Sequence, residues 1–266
     1  MLRHQSRIQS FVLMIFTSLA AFPVKLQAEG RPKQEILVAA AASLREVLDE
    51  LEPAFEKENP QIQLSFHFAA SGALQQQIEQ GAPVDVFISA ARKPVDALLE
   101  KKLLVPSSVR ILCSNELVLI VPQDKPLPQS LVDLKKSNYP RIALGESRTV
   151  PAGEYAEAWL AKAGLLSSLK NQLVPAASVR QVLTFVESGN VAAGFVYASD
   201  AHASKRVRVA LRANPSDHPP IIYPMGLVKK SQHPSSGLAF IQYLQSPLAR
   251  QVFKAFGFIP PAETTL

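Results

Sequence analysis

The sequence lacks most of the motifs that mark nucleotide-binding proteins, metalloenzymes and disulfide-stabilised proteins. Cys113 is its single cysteine, so no intrachain disulfide can form and a hydrophobic core has to stabilise the fold. The eleven glycines never spell a GxGxxG or Walker loop, and no GxSxG elbow occurs. The five histidines do not have the spacing of a helical or zinc-finger metal site. We therefore expect a protein that is not an enzyme and that carries no cofactor.

Charge is sparse as well, and part of the positive excess lies at the amino terminus. Charged residues make up 19% of the chain and hydrophobic residues 47%, which is typical of a soluble globule rather than a disordered chain. The net charge is +6, and removing the three basic residues before position 29 lowers it to +3. No basic cluster with interleaved aromatic residues is present, so we expect no nucleic-acid partner.

Long hydrophobic runs are also missing, apart from a short one near the amino terminus. The run from Phe11 to Phe22 has about 12 residues, short of the ~20 that cross a bilayer as a helix, and it follows two arginines and precedes Ala28. This pattern predicts a signal peptide at residues 1–28, cleaved near Ala28, although a buried core helix is the alternative. No cysteine follows the cleavage site as an anchor for lipid, so we predict a free periplasmic protein.

From Glu35 onward, short apolar runs alternate with amphipathic helices, which predicts an α/β fold. Ile36 to Ala40 is the first predicted strand, and Ser43 with Glu46 forms a predicted capping box that would begin a helix at Ser43. Two lobes of similar build are expected to flank a cleft. We place lobe I at residues 29–115 and 222–266, and lobe II at residues 116–221.

Several predicted helices begin at small polar turns. A helix amino terminus presents unpaired N–H groups and about half a positive charge, so it is a ready anion site. In an open α/β fold such termini converge on the cleft beyond the carboxyl ends of the strands. The candidate turns lie at Ser43, Ser71, Ala152 and Val179, although a serine at such a position is more often a simple cap.

Basic and acidic residues beside these turns have structural interpretations that compete with functional ones. Arg148 and Arg180 adjoin two of the turns, and we expect both side chains to be exposed to solvent. Asp85 and Asp200 are candidate catalytic acids. Because each lies at the end of a predicted buried strand, we expect them instead to form capping or lobe-stabilising hydrogen bonds.

At these turns the chain resembles a known family, the periplasmic molybdate-binding proteins of ABC importers. The resemblance rests on six segments in the family's order: AAASL (40–44), SGALQQQIEQGAPVDVF (71–87), VPAGEYA (150–156), SVRQVLTFVESGNVAAGFVYASDA (178–201), YPMGLVKKS (223–231) and SPLARQVFKAFGF (246–258). It implies the type II periplasmic-binding-protein fold, with a ligand cleft between two lobes. It also implies capture of molybdate or tungstate for the permease and ATPase subunits of a membrane transporter.

The resemblance further implies which residues would hold the ligand. These are the hydroxyl and N–H groups of Ser43 and Ser71, the backbone N–H groups of Ala152 and Val179, and the hydroxyl of Tyr197. Molybdenum or tungsten would enter only as the oxyanion, with no direct bond from protein to metal. Each residue also has a plain structural interpretation: a cap for the serines, a first-turn residue for Ala152 and Val179, and a buried phenol for Tyr197.

Alternatives of other kinds remain open at this stage. The first is a binding protein of the same fold for sulfate or another tetrahedral oxyanion. The second is an exported enzyme that acts on an oxyanion ester, and the third is an exported sensor or scaffold gated by its ligand. For the molybdate-binding protein that the resemblance implies, we expect a monomer.

Overall fold

The computed structural model describes residues 33–262. The predicted signal peptide and its cleavage site near Ala28 lie outside this range. Within it, no helix combines the length and apolar character needed to cross a membrane.

Two five-stranded mixed sheets form the framework. The first has the order β2-β1-β3-β10-β4, in which β1 runs parallel to β2 and β3, and β10 is antiparallel to both of its neighbours. Its strands are β1 (Gln34–Ala41), β2 (Ile62–Ala69), β3 (Val86–Ile88), β4 (Arg110–Ser114) and β10 (Ile222–Leu227). The crossovers between its parallel strands contain helices, which is the usual form of such a connection.

The second sheet has the order β7-β6-β8-β5-β9. Strand β6 runs parallel to β7 and β8, whereas β5 is antiparallel to β8 and β9. Its strands are β5 (Leu117–Pro122), β6 (Ile142–Gly145), β7 (Leu173–Ala176), β8 (Ala193–Tyr197) and β9 (Val207–Arg212). All six residues of β5 are buried, which explains its unbroken apolar sequence.

Helices cover both sheets. Those of the first lobe are α1 (Arg45–Glu58), α2 (Ser71–Glu79), α3 (Arg92–Glu100), α8 (Pro234–Tyr243) and α9 (Pro247–Ala255). Those of the second lobe are α4 (Pro151–Lys162), α5 (Leu166–Leu169), α6 (Val179–Glu187) and α7 (Ala198–His202). Their apolar faces form the core with the strands, for example where Phe55 meets Phe240 with ring centroids 5.1 Å apart.

The structure confirms the predicted α/β, two-lobed fold. The chain leaves the first sheet after Ser114 and enters the second at Leu117, and it returns between Arg212 and Ile222. The lobe boundaries at residues 115/116 and 221/222 stay a prediction, and the strand positions are compatible with them.

The predicted helix start at Ser43 is wrong. A 3-10 turn spans Ala42–Leu44, helix α1 begins at Arg45, and no side chain of the described residues caps it. The supposed partners of the capping box bond elsewhere, because the Ser43 hydroxyl contacts Tyr223 and the Glu46 carboxylate pairs with Arg180. Tertiary contacts have displaced the local cap.

Candidate functional site

The carboxyl ends of parallel strands from both sheets meet at one place. Strands β1 and β2 end at this point in the first lobe, and β6, β7 and β8 end there in the second. The structure brings all five predicted site residues to these strand ends, where they line a single small cavity. Its position matches the general rule for ligand sites in open α/β sheets.

The cavity is compact and uncharged. Its volume is about 10 Å³, close to what one buried water needs. A space of this size is too small for a sugar or a peptide. Every lining residue is neutral: Ala41, Ala42, Ser43, Ala69, Ala70, Ser71, Ala90, Val150, Pro151, Ala152, Val179 and Tyr197.

The first lobe contributes two buried hydroxyl groups. Ser43 lies in the turn after β1, and its Oγ is 3.0 Å from the hydroxyl of Tyr223. Ser71 is the first residue of α2, and its Oγ accepts the N–H of Ala90 at 2.9 Å. Since the Ser71 oxygen already accepts a hydrogen bond, the hydrogen of its hydroxyl is available to a group in the cavity.

The second lobe contributes two helix amino termini. Ala152 is the second residue of α4, behind Pro151, and Val179 is the first residue of α6. First-turn N–H groups have no partner inside their own helix, and the helix dipole adds a partial positive charge at this end. Ser178 caps α6 by accepting the N–H of Gln181 at 3.2 Å, which leaves the N–H of Val179 for another acceptor.

Tyr197 ends β8 and brings an unsatisfied polar atom to the site. Its side chain is 1% exposed, and its hydroxyl has no hydrogen-bond partner within residues 33–262. Burial raises the pKa of this phenol well above its usual range, so the group remains protonated and able to donate. A buried hydroxyl without a partner costs about 1–3 kcal/mol, and an acceptor placed in the cavity would remove that cost.

Arg180 reaches from α6 of the second lobe to the first lobe. Its guanidinium pairs with Glu46 and donates from Nε to the Ala42 carbonyl at 3.3 Å, while Nε also lies 3.1 Å from Oδ1 of Asp200. The expectation that Arg180 would be exposed is wrong, since its side chain is 19% exposed. Arg148 is exposed, as predicted.

The two candidate acids have structural roles outside the cavity lining. Asp85 accepts the N–H of Leu37 at 2.8 Å within the first lobe, and Asp200 accepts the N–H of Tyr197 at 3.1 Å at the start of α7. These are the lobe-stabilising and capping hydrogen bonds that the sequence predicted. Burial raises the pKa of Asp200 to about 6, although Arg180 acts in the opposite direction. No group of three or more His, Cys, Asp or Glu side chains within the described residues is arranged to hold a metal ion.

A glycine brings the two lobes into backbone contact beside the cavity. The N–H of Gly72, in the first turn of α2, donates to the carbonyl of Thr149 in the second lobe at 2.9 Å. A Cβ atom at Gly72 would lie 2.8 Å from both Cα and the carbonyl oxygen of Thr149. The close approach of the lobes at this point therefore requires glycine.

Sequence reasoning missed two residues that lie behind Ser43, outside the cavity lining. These are Tyr223 and Asn115, which lie 180 and 72 positions beyond Ser43 in the chain, so no local pattern connects them to the site. Arg180 was noticed beside its turn, but its partners Glu46 and Asp200 lie on other elements. A buried acid at the end of β8 was the one available signal that a cation had to lie close by.

Comparison with known proteins gives consistent matches across the described chain. The family model for bacterial extracellular solute-binding proteins matches residues 36–259. The YvgL protein of Bacillus subtilis is 39% identical over 86% of this chain and 88% of its own, and its name assigns it provisionally to the substrate-binding lipoproteins of ABC transporters. The molybdate-binding protein ModA of Escherichia coli is 36% identical over 84% of this chain and 88% of its own.

Solved structures share the architecture. The periplasmic molybdate-binding protein of Azotobacter vinelandii superimposes with a TM-score of 0.78 over 85% of this chain and 99% of its own. At 24% identity this likeness establishes the fold.

Proposed function

The chain belongs to the family of bacterial extracellular solute-binding proteins, and we propose that it captures molybdate or tungstate and delivers the oxyanion to an ABC importer. The observation that carries the proposal is the buried hydroxyl of Tyr197, a residue that lines a small neutral cavity and whose hydroxyl has no hydrogen-bond partner in the part of the chain that the structure describes. The ModA relative supports the choice of ligand, since its name states that it binds molybdate.

We propose that Ser43, Ser71, Ala152, Val179 and Tyr197 form the ligand shell. Molybdate and tungstate are fully deprotonated dianions at neutral pH, so every ligand oxygen accepts hydrogen bonds and none donates. A shell built from hydroxyl and amide donors matches such a ligand. A protonated phosphate would bring a hydrogen that needs an acceptor, and leaving a buried polar group unpaired costs about 1–3 kcal/mol.

A neutral shell also avoids a desolvation penalty. Removing a lysine or arginine from water into the cleft would cost several kcal/mol, whereas helix termini and neutral donors are already in place. In this arrangement the positive ends of α2, α4 and α6 balance the charge of the anion. Arg180 lies behind the turn at Ala42, where it supports the site without joining its lining.

The two lobes give the site a means of closing. We propose lobe boundaries at residues 29–115 with 222–266, and 116–221, so that the chain crosses twice between the lobes. Ligand held by both lobes stabilises the closed arrangement over an open one. Contacts between Gly72 and Thr149 and between Arg180 and Glu46 belong to the closed arrangement.

The remaining features of the proposal follow from this role. The protein acts as an exported monomer in the periplasm after cleavage near Ala28, and its partners are the permease and ATPase subunits of the importer. It has no catalytic activity and no cofactor, and the metal enters only as the oxyanion.

Calorimetric titration of residues 29–266 tests the ligand. We expect strong binding of molybdate and tungstate, weaker binding of sulfate, and the weakest binding of hydrogen phosphate. Tighter binding of sulfate than of molybdate would replace the proposed ligand by the alternative oxyanion. Absence of binding for all four anions would overturn the function.

Three variants test the shell. Ser43→Ala, Ser71→Ala and Tyr197→Phe each remove one hydroxyl donor to a charged ligand, worth ~1.5–3 kcal/mol, so each should weaken binding roughly ten- to hundredfold. Ser246→Ala is the matched control, because Ser246 caps α9 at the N–H of Ala249 and does not line the cavity. That variant should lose about 1 kcal/mol of stability and keep its affinity.

A further inference from the structure

A buried tyrosine stands directly behind one of the proposed ligand residues. Tyr223 lies on β10 and is 0% exposed, and its hydroxyl is 3.0 Å from Oγ of Ser43. Tyr223 does not line the cavity, so any influence on a ligand has to pass through Ser43. The direction of the bond between the two hydroxyl groups decides what that influence is.

The position of Asn115 sets that direction. Its Oδ1 accepts the N–H of Glu116 at 2.9 Å, which orients the amide so that Nδ2 points the other way. Nδ2 then donates to Oγ of Ser199 at 2.8 Å and approaches the Tyr223 oxygen at 3.4 Å. Both amide hydrogens are directed at these two oxygens, and the Tyr223 oxygen acts as an acceptor.

The amide nitrogen of Asn115 cannot accept a hydrogen bond, so of the two groups that contact the Tyr223 hydroxyl only Ser43 Oγ can accept the phenol hydrogen. Pairing that buried hydrogen therefore requires Tyr223 to donate to Ser43. Burial raises the pKa of this phenol well above its usual range, so the hydrogen is retained. The Ser43 oxygen then accepts a bond from within the protein, and the Ser43 hydrogen remains free for the cavity. A hydroxyl that accepts a hydrogen bond also becomes a stronger donor.

We propose that Tyr223, held by Asn115, is a positioning residue that fixes Ser43 as a donor and so makes the site selective for oxyanions that carry no proton. This inference rests on the proposed function, because it assigns Ser43 to the ligand shell. Ser71 is oriented in the same sense by a different group, the N–H of Ala90. Both hydroxyl groups of the first lobe thus present hydrogen to the ligand.

Tyr223→Phe tests the proposal, with affinities for molybdate and for hydrogen phosphate as the two readouts. Molybdate should bind about three- to tenfold more weakly, the effect of losing one ordinary hydrogen bond. Hydrogen phosphate should bind no more weakly than before, because a freely rotating Ser43 hydroxyl can accept its proton. The selectivity ratio, which is the affinity for molybdate divided by the affinity for hydrogen phosphate, should therefore fall. An equal loss for both anions, as a merely structural role predicts, would overturn the proposal.

Tyr243→Phe is the matched control. Tyr243 is also buried in the first lobe, but its hydroxyl bonds to the carbonyl of Leu51 at 3.4 Å. Removing the Tyr243 hydroxyl should change neither the affinity for molybdate nor the affinity for hydrogen phosphate.

Asn115→Ala is a second variant that keeps the Tyr223 ring in place. It should also lower the selectivity ratio, and it provides a test even if Tyr223→Phe folds poorly.

A double-mutant cycle shows whether Tyr223 acts through Ser43. In a Ser43→Ala background, adding Tyr223→Phe should change the molybdate affinity less than about twofold, because the intermediary is gone. If the losses of molybdate binding free energy from the two substitutions are fully additive, the proposal that Tyr223 acts through Ser43 is overturned.

The failures of the two proposals are distinguishable. If wild-type protein binds molybdate and Tyr223→Phe keeps the same selectivity ratio, only the proposed positioning role of Tyr223 is wrong. If wild-type protein binds sulfate instead, the proposed ligand is wrong and the same ratio is measured for sulfate against phosphate. If no oxyanion binds, both proposals fail.

Discussion

The two lobes supply the cavity with donors of different kinds. In the first lobe, the oxygens of Ser43 and Ser71 already have partners within the protein. In the second lobe, the Tyr197 hydroxyl has no hydrogen-bond partner among residues 33–262, and the N–H groups of Ala152 and Val179 project from the first turns of their helices. The hydroxyl donors of the first lobe are thus oriented before any ligand binds. The donors of the second lobe would obtain their acceptors only from a bound ligand.

This difference between the lobes indicates separate contributions to ligand affinity and to closure of the lobes. A donor that is oriented beforehand loses little freedom when ligand binds, which favours affinity. A buried donor without a hydrogen-bond partner costs free energy in the closed arrangement, and only a bound ligand removes this cost. Such a donor therefore favours closure of the lobes when ligand is present. Each of the following predictions separates these two contributions.

The largest effect on ligand affinity is expected at the backbone contact between the two lobes. Gly72→Ala would place a Cβ atom 2.8 Å from the Thr149 backbone, and overpacking of this kind costs about 1–3 kcal/mol, so affinity should fall roughly ten- to hundredfold. Stability without ligand should hold or rise, because alanine favours helix α2 and the open lobes avoid the contact. Calorimetry and thermal unfolding without ligand measure the two effects.

Gly237→Ala is the comparison for this prediction. Its Cβ atom would meet the side chain of Leu227 at 2.6 Å, entirely within the first lobe. It should therefore reduce stability more than affinity. A normal affinity for Gly72→Ala would show that the lobes do not need this contact to hold ligand.

The next effect distinguishes the two halves by stability without ligand. Ser71→Ala leaves the N–H of Ala90 unpaired in a buried position, which should lower the free energy of unfolding by about 1–3 kcal/mol. Tyr197→Phe removes a hydroxyl that has no hydrogen-bond partner within residues 33–262 and that open lobes expose to water, so the free energy of unfolding should change by less than about 1 kcal/mol. Urea unfolding of both variants provides the measurement, and equal destabilisation would erase the distinction between the lobes.

The smallest effect concerns the ion pair between the lobes. Glu46→Gln weakens the link to Arg180, and because the Glu46 side chain is 39% exposed the affinity should fall at most about fivefold. Lys93→Gln is its control, since the pair with Glu154 also joins the lobes but is more exposed, and no change is expected. A similar loss in both variants would mean that general charge, rather than the Arg180 contact, affects binding.

Much of the fold could be predicted from sequence because local signals and tertiary packing agree. Helix α2 begins at Ser71 as expected, and Gly81, with φ of +92°, follows its end. Strand β9 was missed even though arginines alternate with its apolar residues, which is the pattern expected of a half-buried strand at the edge of a sheet. The short strands β4 and β7 and the short helix α7 lacked a clear periodic signal.

The candidate site shows the same limit. Its five residues lie at strand ends and helix starts, where sequence patterns and resemblance both provide information. Asn115 and Tyr223 are ordinary residues in sequence and become relevant only because the chain crosses between sheets beside Ser43. A single sequence contains no signal for such a long-range pair.

The near-complete burial of the cavity has a kinetic consequence. Ser43, Ser71, Ala152 and Tyr197 are each at most 2% exposed, so a ligand among them has no exit while the lobes remain together. Its residence time is then the lifetime of the closed state, and its dissociation rate is the rate of opening. A membrane transporter that pulls the lobes apart would therefore control release even when the ligand is tightly bound at equilibrium.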